Sequence, residues 1–256
     1  MDLEQILAGV SEGTMSVPDA AQRLRAWGIE DLGFAQIDQD RARRTGWPEV
    51  VFGPGKSPAQ LALLLTRIHS RHGFALATRV ESVIVPALRD ALGTAGQEAT
   101  YDPLSRLFWM GGPLPSRARG RVAVCSAGTS DRAVAEEAAK TAELFGNEVE
   151  RIDDIGVAGL HRALAARHRL EAAEVVIAVA GMEGALFSVV KNLISRPVIA
   201  VPTSVGGGLS GMVALFSALS SCASGVTVVG IDNGFGAGFA ASVINARAGE
   251  GLKASV

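Results

Sequence analysis

This chain of 256 residues has little cysteine and little net charge, because it contains only 2 cysteines and nearly balanced numbers of basic (24 Lys+Arg) and acidic (26 Asp+Glu) residues. Two cysteines far apart in the chain exclude a disulfide framework and a zinc cluster, and they favour a reducing compartment. A formal net charge of −2 argues against a basic surface, so we expect no nucleic-acid partner. The start, MDLEQILAGV, lacks the features of a secretory signal. The sequence therefore predicts a cytoplasmic protein.

Charged residues are also missing from residues 197–231, a stretch long enough to span a bilayer. Pro202 and the glycines at 206–208 interrupt this stretch, and serines and threonines dilute it. A spanning helix needs about 20 predominantly apolar residues without such breaks. A strand, a glycine loop, a buried helix and a second strand explain the stretch better, and no membrane partner is expected.

The two parts of the chain differ in pattern, with a boundary in the Gly-, Pro- and Arg-rich segment 111–121. We assign residues 1–118 to a smaller, mainly helical α/β region, with helices predicted at 18–27 and 58–72. Residues 119–256 alternate strand-like and helix-like runs, which predicts a parallel sheet covered on both faces. The strand-like runs are 121–127, 147–153, 175–181, 197–201 and 226–232, and helices are predicted up to about 145 and near 157–170, 183–194, 209–220 and 236–248.

The loops that follow the predicted strands are the best candidates for a small-molecule site. Ligands of open parallel sheets bind at the carboxyl ends of the strands, near the point where the strand order reverses. Four such loops are rich in Gly, Ser, Thr, Asp or Glu, and they are 127–131, 181–185, 202–208 and 232–238.

One glycine-rich segment matches a nucleotide-binding pattern. Gly206, Gly208 and Gly211 satisfy G-x-G-x-x-G, and Asp232 lies about 20 residues further on. A dinucleotide-binding motif follows the first strand of its domain, however, whereas this segment follows the fourth. A glycine-rich loop for an anion is the better interpretation, and a nicotinamide-dependent oxidoreductase or simple close packing of glycines stays open.

Two further segments have both a structural and a ligand-binding interpretation. Lys56 stands in FGPGKS, but a P-loop would need a glycine where Val50 stands. Lys56 and Arg44 then either belong to a solvated face or reach an acidic substrate. In AGTSD, Thr129 or Ser130 can cap the following helix, and the N–H groups there can also hold a phosphate.

The two cysteines stand in different settings. Cys125 lies inside the apolar run RVAVCSA, where a buried and inert thiol is expected. Cys222 stands in the loop SSCASG, where it is either a packing residue or an exposed nucleophile. His161 is predicted to lie at the surface or to cap a helix, and no histidine pair has the H-E-x-x-H spacing of a metal site.

Together these segments resemble a known family. AGTSD, AGMEGALFSVV and PVIAVPTS resemble the phosphate- and ribose-binding segments of aminoimidazole ribonucleotide (AIR) carboxylases of the PurE type. NEVERIDDIGVAGLHR, GMEGALFSVV, VPTSVG, SSCASG and IDNGFGAG more closely resemble the LarB family, the pyridinium-3,5-biscarboxylic acid mononucleotide synthases of nickel-pincer cofactor biosynthesis. DQDRARRTGWPEVVFGPGKSP resembles the N-terminal half of that family, so the resemblance covers most of residues 34–248.

The resemblance implies a fold, an assembly and an activity. The fold is a flavodoxin-like, PurE-like parallel sheet of five strands that assembles into a homo-octamer or another higher oligomer. The activity is carboxylation of nicotinic acid adenine dinucleotide with carbon dioxide or bicarbonate, and cleavage of its phosphoanhydride to release AMP. Mg²⁺ held mainly by substrate and water would assist the cleavage. An AIR carboxylase or mutase, which would not need Cys222, and a nucleotide-binding module without turnover are the alternatives.

The resemblance also implies roles for individual residues. Cys222, in a loop expected to face the glycine-rich strand ends, would add to the pyridinium ring, and Glu183 would take the released proton. Asp131 would hold ribose hydroxyls from an exposed strand end, so Asp131→Asn would weaken binding and leave the fold intact. The other substrate-binding candidates are Gly128, Thr129, Ser130, Gly181, Thr203, Ser204, Gly206, Asp232 and Asn233, with Arg44 and Lys56 as candidates from the N-terminal region.

Overall fold

Two large β-sheets organise the structure, a computed structural model that describes residues 3–26, 28–206 and 209–247. The N-terminal region contains a four-stranded mixed sheet of order β3-β4-β6-β5 and a separate antiparallel pair, β1-β2. Its elements are α1 (Leu3–Ser11), α2 (Val17–Ala26), β1 (Ile29–Asp31), β2 (Gln36–Asp38), α3 (Arg41–Thr45), β3 (Val50–Phe52), α4 (Pro58–His72), β4 (Ala75–Thr78), α5 (Val85–Leu92), α6 (Thr94–Glu98), β5 (Thr100–Asp102) and β6 (Leu107–Met110).

Helix α4 shows how local sequence sets the boundaries in this region. Ser57 Oγ accepts a hydrogen bond from the N–H of Gln60 at 3.2 Å, and the Gln60 side chain accepts one from the N–H of Ser57 at 2.9 Å. This reciprocal pair satisfies two N–H groups that have no partner inside the helix. The helix ends at Gly73, whose φ of 65° favours glycine. The predicted helix at 58–72 is therefore confirmed.

The C-terminal region contains a five-stranded, all-parallel sheet of order β11-β10-β9-β7-β8, which is the flavodoxin-like order that the resemblance implies. Every residue of its central strand is buried, as expected for a sheet covered on both faces. Its elements are β7 (Arg121–Ser126), α7 (Arg132–Leu144), β8 (Glu148–Ile152), α8 (Leu160–Ala165), α9 (Arg167–Glu171), β9 (Val175–Ala180), α10 (Ala185–Leu193), β10 (Val198–Pro202), α11 (Met212–Leu219), β11 (Val226–Val228) and α12 (Gly234–Asn245).

Two of the predicted elements differ from the structure. The helix predicted near 157–170 is divided into a short 3-10 turn (Val157–Gly159), α8 and α9. The strand predicted at 226–232 stops at Val228, because the chain turns towards α12 through Asp232, whose φ is 55°. The uncharged stretch 197–231 is divided among β10, α11 and β11, and no helix in the described ranges is long and apolar enough to cross a bilayer.

Helices α7 and α12 lie between the two large sheets. On one side they cover buried residues of the parallel sheet, and on the other they meet Phe74 and Leu76 of the N-terminal region. The two helices approach closely through Gly234 and Gly238, where an added Cβ would lie 2.3 and 2.5 Å from main-chain oxygens of α7. The N-terminal sheet packs its other face on α4 and α5, so helix and sheet layers alternate through the molecule.

A cluster of aromatic rings joins the two regions, and Phe145 lies at its centre. Phe145 is 1% exposed and stacks on Trp47 at 5.0 Å, with edge contacts to Phe74 at 6.4 Å and Phe239 at 5.7 Å. We expect Phe145→Ala to lower the free energy of unfolding by about 3–5 kcal/mol, because the cavity would open in a shared core. Urea unfolding measures this loss. The exposed Phe34 is the control, and an equally small effect of both substitutions would contradict the shared core.

Candidate functional site

A cleft of about 360 Å³ opens at the carboxyl edge of the parallel sheet. It lies between the ends of β7 and β9, where the chain departs to opposite sides of the sheet, as the switch-point rule predicts. Residues of the loops 127–131, 154–158 and 180–186 line it together with Val205. Loop 232–238, which we predicted to belong to the same site, does not line this cleft but lies beside it, at the end of β11.

Asp131 lies beneath the cleft and ties its loops together. It is 4% exposed, which corrects the expectation of an exposed strand end. One carboxylate oxygen accepts from the Thr203 hydroxyl at 2.7 Å, and the other accepts from the Gly128 N–H at 2.9 Å. Burial raises the pKa of Asp131, although these donors and the Gly181 N–H oppose the shift. Because its oxygens are engaged inside the protein, Asp131 is better placed to hold the loops than to hold ribose hydroxyls.

Asp131→Asn should therefore destabilise the fold, contrary to the expectation from sequence. An asparagine directs an NH₂ group at one of these donors, and we expect a loss of about 1–3 kcal/mol. The raised pKa means that the folded protein binds this proton more tightly than the unfolded chain. As the pH rises through the pKa of Asp131, the wild type consequently loses stability, whereas the variant does not. The difference in free energy of unfolding between the two proteins therefore becomes smaller at higher pH. Thermal unfolding between pH 4 and 8 tests both statements, and an unchanged melting temperature would contradict them.

Thr129 and Ser130 present their side chains at the floor of the cleft. We predicted that one of them caps α7, but a 3-10 turn (Thr129–Asp131) precedes the helix and Asp131 is the N-cap residue. Both side chains are exposed, and neither hydroxyl has a hydrogen-bond partner within the described ranges. They lie at the N-terminus of a 13-residue helix, whose dipole favours an anion. This geometry suits a phosphate.

The loop after β9 places Glu183 at the cleft. Gly181 is essential to this loop, because an added Cβ would lie 2.2 Å from the main-chain oxygen of Val205. The N–H of Met182 donates to the same oxygen at 3.0 Å, and Met182 adopts a φ of 52° that residues other than glycine rarely adopt. Glu183 follows in an exposed position, so its carboxylate can exchange protons with a ligand.

A second group of predicted residues holds the neighbouring loops. The N–H of Ser204 donates to Asp232 Oδ1 at 2.8 Å, and Asn233 Oδ1 accepts from the N–H of Gly236 at the start of α12. Gly206 packs against Met182, whose Sδ would lie 2.2 Å from an added Cβ. Gly208 of the predicted glycine pattern lies outside the described residues. Ser204, Asp232 and Asn233 thus lie beside the cleft and shape its edge.

Cys222 lies at the amino ends of the strands, on the opposite side of the parallel sheet from the cleft at their carboxyl ends. Its loop connects the end of α11 to the start of β11, and Gly225 of this loop accepts a hydrogen bond from the N–H of Val198, the first residue of β10. With a rise of about 3.3 Å per residue, β10 alone separates this edge from the cleft by on the order of 13 Å. The expectation that the loop faces the glycine-rich strand ends is therefore wrong within one chain. The thiol is free and exposed, whereas Cys125 is buried as predicted, with its pKa raised to about 12 by burial.

The basic residues predicted from the N-terminal region do not reach the cleft. Arg44 pairs with Asp38 and Asp40, and the Lys56 ammonium donates to the main-chain oxygen of Phe52 at 2.8 Å. Arg79, which was not among the residues predicted from the sequence, contacts the loop after the last strand of the parallel sheet. No sequence motif marked it, because its contact joins residues far apart in the chain.

Metal ligands are not clustered in the part of the chain that the structure describes. No group of three or more His, Cys, Asp or Glu side chains in residues 3–26, 28–206 and 209–247 is arranged to hold a metal ion. The oxygens of Asp131, the most buried carboxylate of the site, are already engaged by hydrogen-bond donors. The described residues of the site therefore do not fit a resident magnesium ion.

Comparison with known proteins agrees with this architecture. The family described as "LarB/PurE-like N-terminal domain" matches residues 29–111, and the family described as "AIR carboxylase" matches residues 121–256. The "Uncharacterized protein MJ0165" of Methanocaldococcus jannaschii is 36% identical over 251 residues, which cover 95% of this chain and 96% of that protein. The similarity thus extends over both large sheets.

Proposed function

Because this chain belongs to the LarB family, with an AIR carboxylase domain at its C-terminal end, we propose that it carboxylates the pyridinium ring of nicotinic acid adenine dinucleotide. The proposed reaction also cleaves the phosphoanhydride, giving pyridinium-3,5-biscarboxylic acid mononucleotide and AMP for nickel-pincer cofactor biosynthesis. The observation that carries the proposal is the free, exposed thiol of Cys222 in the family's SSCASG segment. Carboxylation of an electron-poor ring needs such a nucleophile, whereas carboxylation of aminoimidazole ribonucleotide does not.

The chemistry follows from the charge on the ring. The Cys222 thiolate adds to ring carbon 6, and the displaced electron pair neutralises the ring nitrogen. Carbon 5 is then nucleophilic and forms a bond to carbon dioxide. Glu183 removes the proton from carbon 5, and expulsion of the thiolate restores the aromatic ring, so that one carboxylate replaces one ring proton. Water then cleaves the phosphoanhydride to release AMP.

The cleft has the size and the polar groups that the substrate requires. Its volume lies within the roughly 300–1,000 Å³ that small-molecule sites occupy. The hydroxyls of Thr129 and Ser130, at the N-terminus of α7, would receive a phosphate, and Glu183 would face the ring. Mg²⁺ would be a counter-ion bound by the substrate phosphates and water, and no step needs a metal ligand from the chain.

The separation of thiol and cleft calls for more than one copy of the chain. We propose that Cys222 of one copy reaches the cleft of a neighbouring copy in a higher homo-oligomer, such as the octamer of the family. The support is an apolar stripe along α11 and the loop before it, on the element that leads directly to Cys222. Its exposed members, called the α11 stripe below, are Leu209, Met212, Val213, Phe216 and Leu219.

The decisive experiment is turnover of nicotinic acid adenine dinucleotide with ¹³C-labelled bicarbonate and magnesium. Mass spectrometry should show a mononucleotide that carries one labelled carboxylate, and chromatography should show an equal amount of AMP. Aminoimidazole ribonucleotide is the matched control substrate. Carboxylation of the control alone would assign the chain to the purine reaction, and tight binding of the dinucleotide without product would assign it to nucleotide binding.

A further inference from the structure

Arg79 links the N-terminal region to the loops beside the cleft. It follows β4 with a φ of 54°, a left-handed conformation that residues other than glycine rarely adopt. Its Nη2 donates to the main-chain oxygen of Asp232 at 2.6 Å, across 153 residues of sequence. Its Nε lies 4.0 Å from a carboxylate oxygen of Glu137 on α7. One guanidinium therefore contacts two elements of the other region.

Asp232 is itself held in an unusual conformation, with a φ of 55°. Its N–H donates to Pro202 O at 2.8 Å, its side chain accepts from the Ser204 N–H at 2.8 Å, and its carbonyl accepts from Arg79. Strained residues persist where the surroundings determine their conformation, and such residues concentrate at functional sites. Of these three hydrogen bonds, called anchors below, the one from Arg79 is made by the N-terminal region.

Glu137 completes the arrangement from below. It is 4% exposed, its carboxylate also faces the N–H groups of Gly234 and Phe235 at the start of α12, and its Oε1 has no hydrogen-bond partner among the described residues. The Arg79 guanidinium lies within ion-pair distance of this oxygen. Arg79 and Glu137 thus hold the turn at Asp232 from both sides, one at its carbonyl and the other at the amides that follow.

The segment FGPGKS, which is not a P-loop, supports Arg79. The N–H of Gly53 donates to the main-chain oxygen of Thr78 at 2.9 Å, and a Cβ at Gly53 would lie 2.7 Å from that oxygen. The Phe52 ring lies beneath the guanidinium, 5.8 Å from its central carbon. The glycine and the ring together allow β4 to end in the turn that directs Arg79 towards Asp232.

We propose that Arg79 is a positioning residue of the site, which fixes the turn at Asp232 and, through it, the Ser204 loop at the edge of the cleft. Its effect on catalysis rests on the proposed function. Arg79→Ala should raise the KM for nicotinic acid adenine dinucleotide about 10- to 100-fold, as expected for the loss of a charged hydrogen bond, and change kcat much less. Arg79→Lys should have nearly the same raised KM as Arg79→Ala, because an ammonium cannot reach both Asp232 and Glu137. Free guanidinium ion should partly lower the KM of Arg79→Ala.

Arg106→Ala is the matched control. Arg106 also has a left-handed φ, of 55°, and its guanidinium pairs with Glu81 of its own region. Its charge also acts on Glu137, so this variant controls for the loss of a positive charge near that carboxylate. We expect its KM to match that of the wild type. An equal KM for Arg79→Ala and the wild type, or full activity of Arg79→Lys, would overturn the positioning role.

Hydrogen exchange without substrate separates this proposal from the proposed function. In Arg79→Ala, the amides of Ser204 and Asp232 should exchange faster than in the wild type and in Arg106→Ala, because one of the three anchors is lost. If the wild type fails to turn over the dinucleotide, the proposed function fails, and faster exchange still supports the positioning role. Unchanged exchange at these amides would overturn it whatever the substrate.

Discussion

Cys222→Ser should stop carboxylation in a protein that remains folded. A serine hydroxyl is far less ionised than a thiol near neutral pH, so we expect the rate to fall at least ~10³-fold. The side chain is exposed, and exposed substitutions change stability by about 0.5 kcal/mol or less, so the melting temperature should shift by less than about 2 °C. A folded variant that carboxylates at the wild-type rate would exclude the covalent mechanism.

Cys125→Ser is the control for this result. Cys125 is buried in β7, and a hydroxyl there should lower the free energy of unfolding by about 1–3 kcal/mol while leaving the proposed nucleophile, Cys222, in place. Iodoacetamide should modify Cys222 before Cys125, because burial raises the pKa of the Cys125 thiol to about 12. Bound nicotinic acid adenine dinucleotide should slow the alkylation of Cys222. Faster labelling of Cys125 would contradict the assignment.

Phe216→Glu should dissociate the proposed homo-oligomer and abolish the proposed activity with it. Phe216 is 58% exposed at the centre of the α11 stripe, and a carboxylate there would have to lose its hydration in a contact between copies. We expect light scattering to show smaller species and turnover to fall below about 1%, because the thiol and the cleft would no longer meet. Leu7→Glu on α1 is the control at a similarly exposed apolar position. A monomeric but fully active variant would show that one chain suffices.

Mixed oligomers test the same arrangement from a second direction. Cys222→Ser removes the thiol and Glu183→Gln removes the proposed base, so each variant alone should be inactive. If a site takes its cleft from one copy and its thiol from another, random mixing should restore about one quarter of the wild-type activity. If both residues act within one chain, mixing restores nothing.

Apolar runs in the sequence were enough to predict the parallel sheet. The inner strands β7 and β9 are buried, so they appear as continuous apolar segments, and their alternation with helices predicts a parallel sheet. The order of the strands came from the resemblance to the family and not from these runs. The short strands of the N-terminal region, such as β3 and β5, have three residues each and leave no comparable pattern. Their pairing depends on packing against α4 and α5, which no local segment reveals.

The site was predicted less completely than the fold, for identifiable reasons. Loops 127–131 and 181–185 were placed correctly because they follow strands of a parallel sheet. Cys222 follows a helix and precedes a strand, and the same topological rule places it at the other edge. The burial of Asp131 depends on the hydroxyl of Thr203, 72 positions away, and the role of Arg79 depends on contact between two regions. Such long-range contacts leave no trace in local sequence.

The aromatic cluster between the sheets also affects how the chain is synthesised. Phe74 emerges from the ribosome long before Phe235 and Phe239, the rings of α12 that complete its surroundings. At about 5–20 residues per second, a delay of roughly 160 residues leaves that apolar face uncovered for about 8–32 seconds. Its closure requires contacts between the beginning and the end of the chain, which form slowly. The apolar face around Phe74 is therefore expected to stay uncovered in the nascent chain until the last helix has been made.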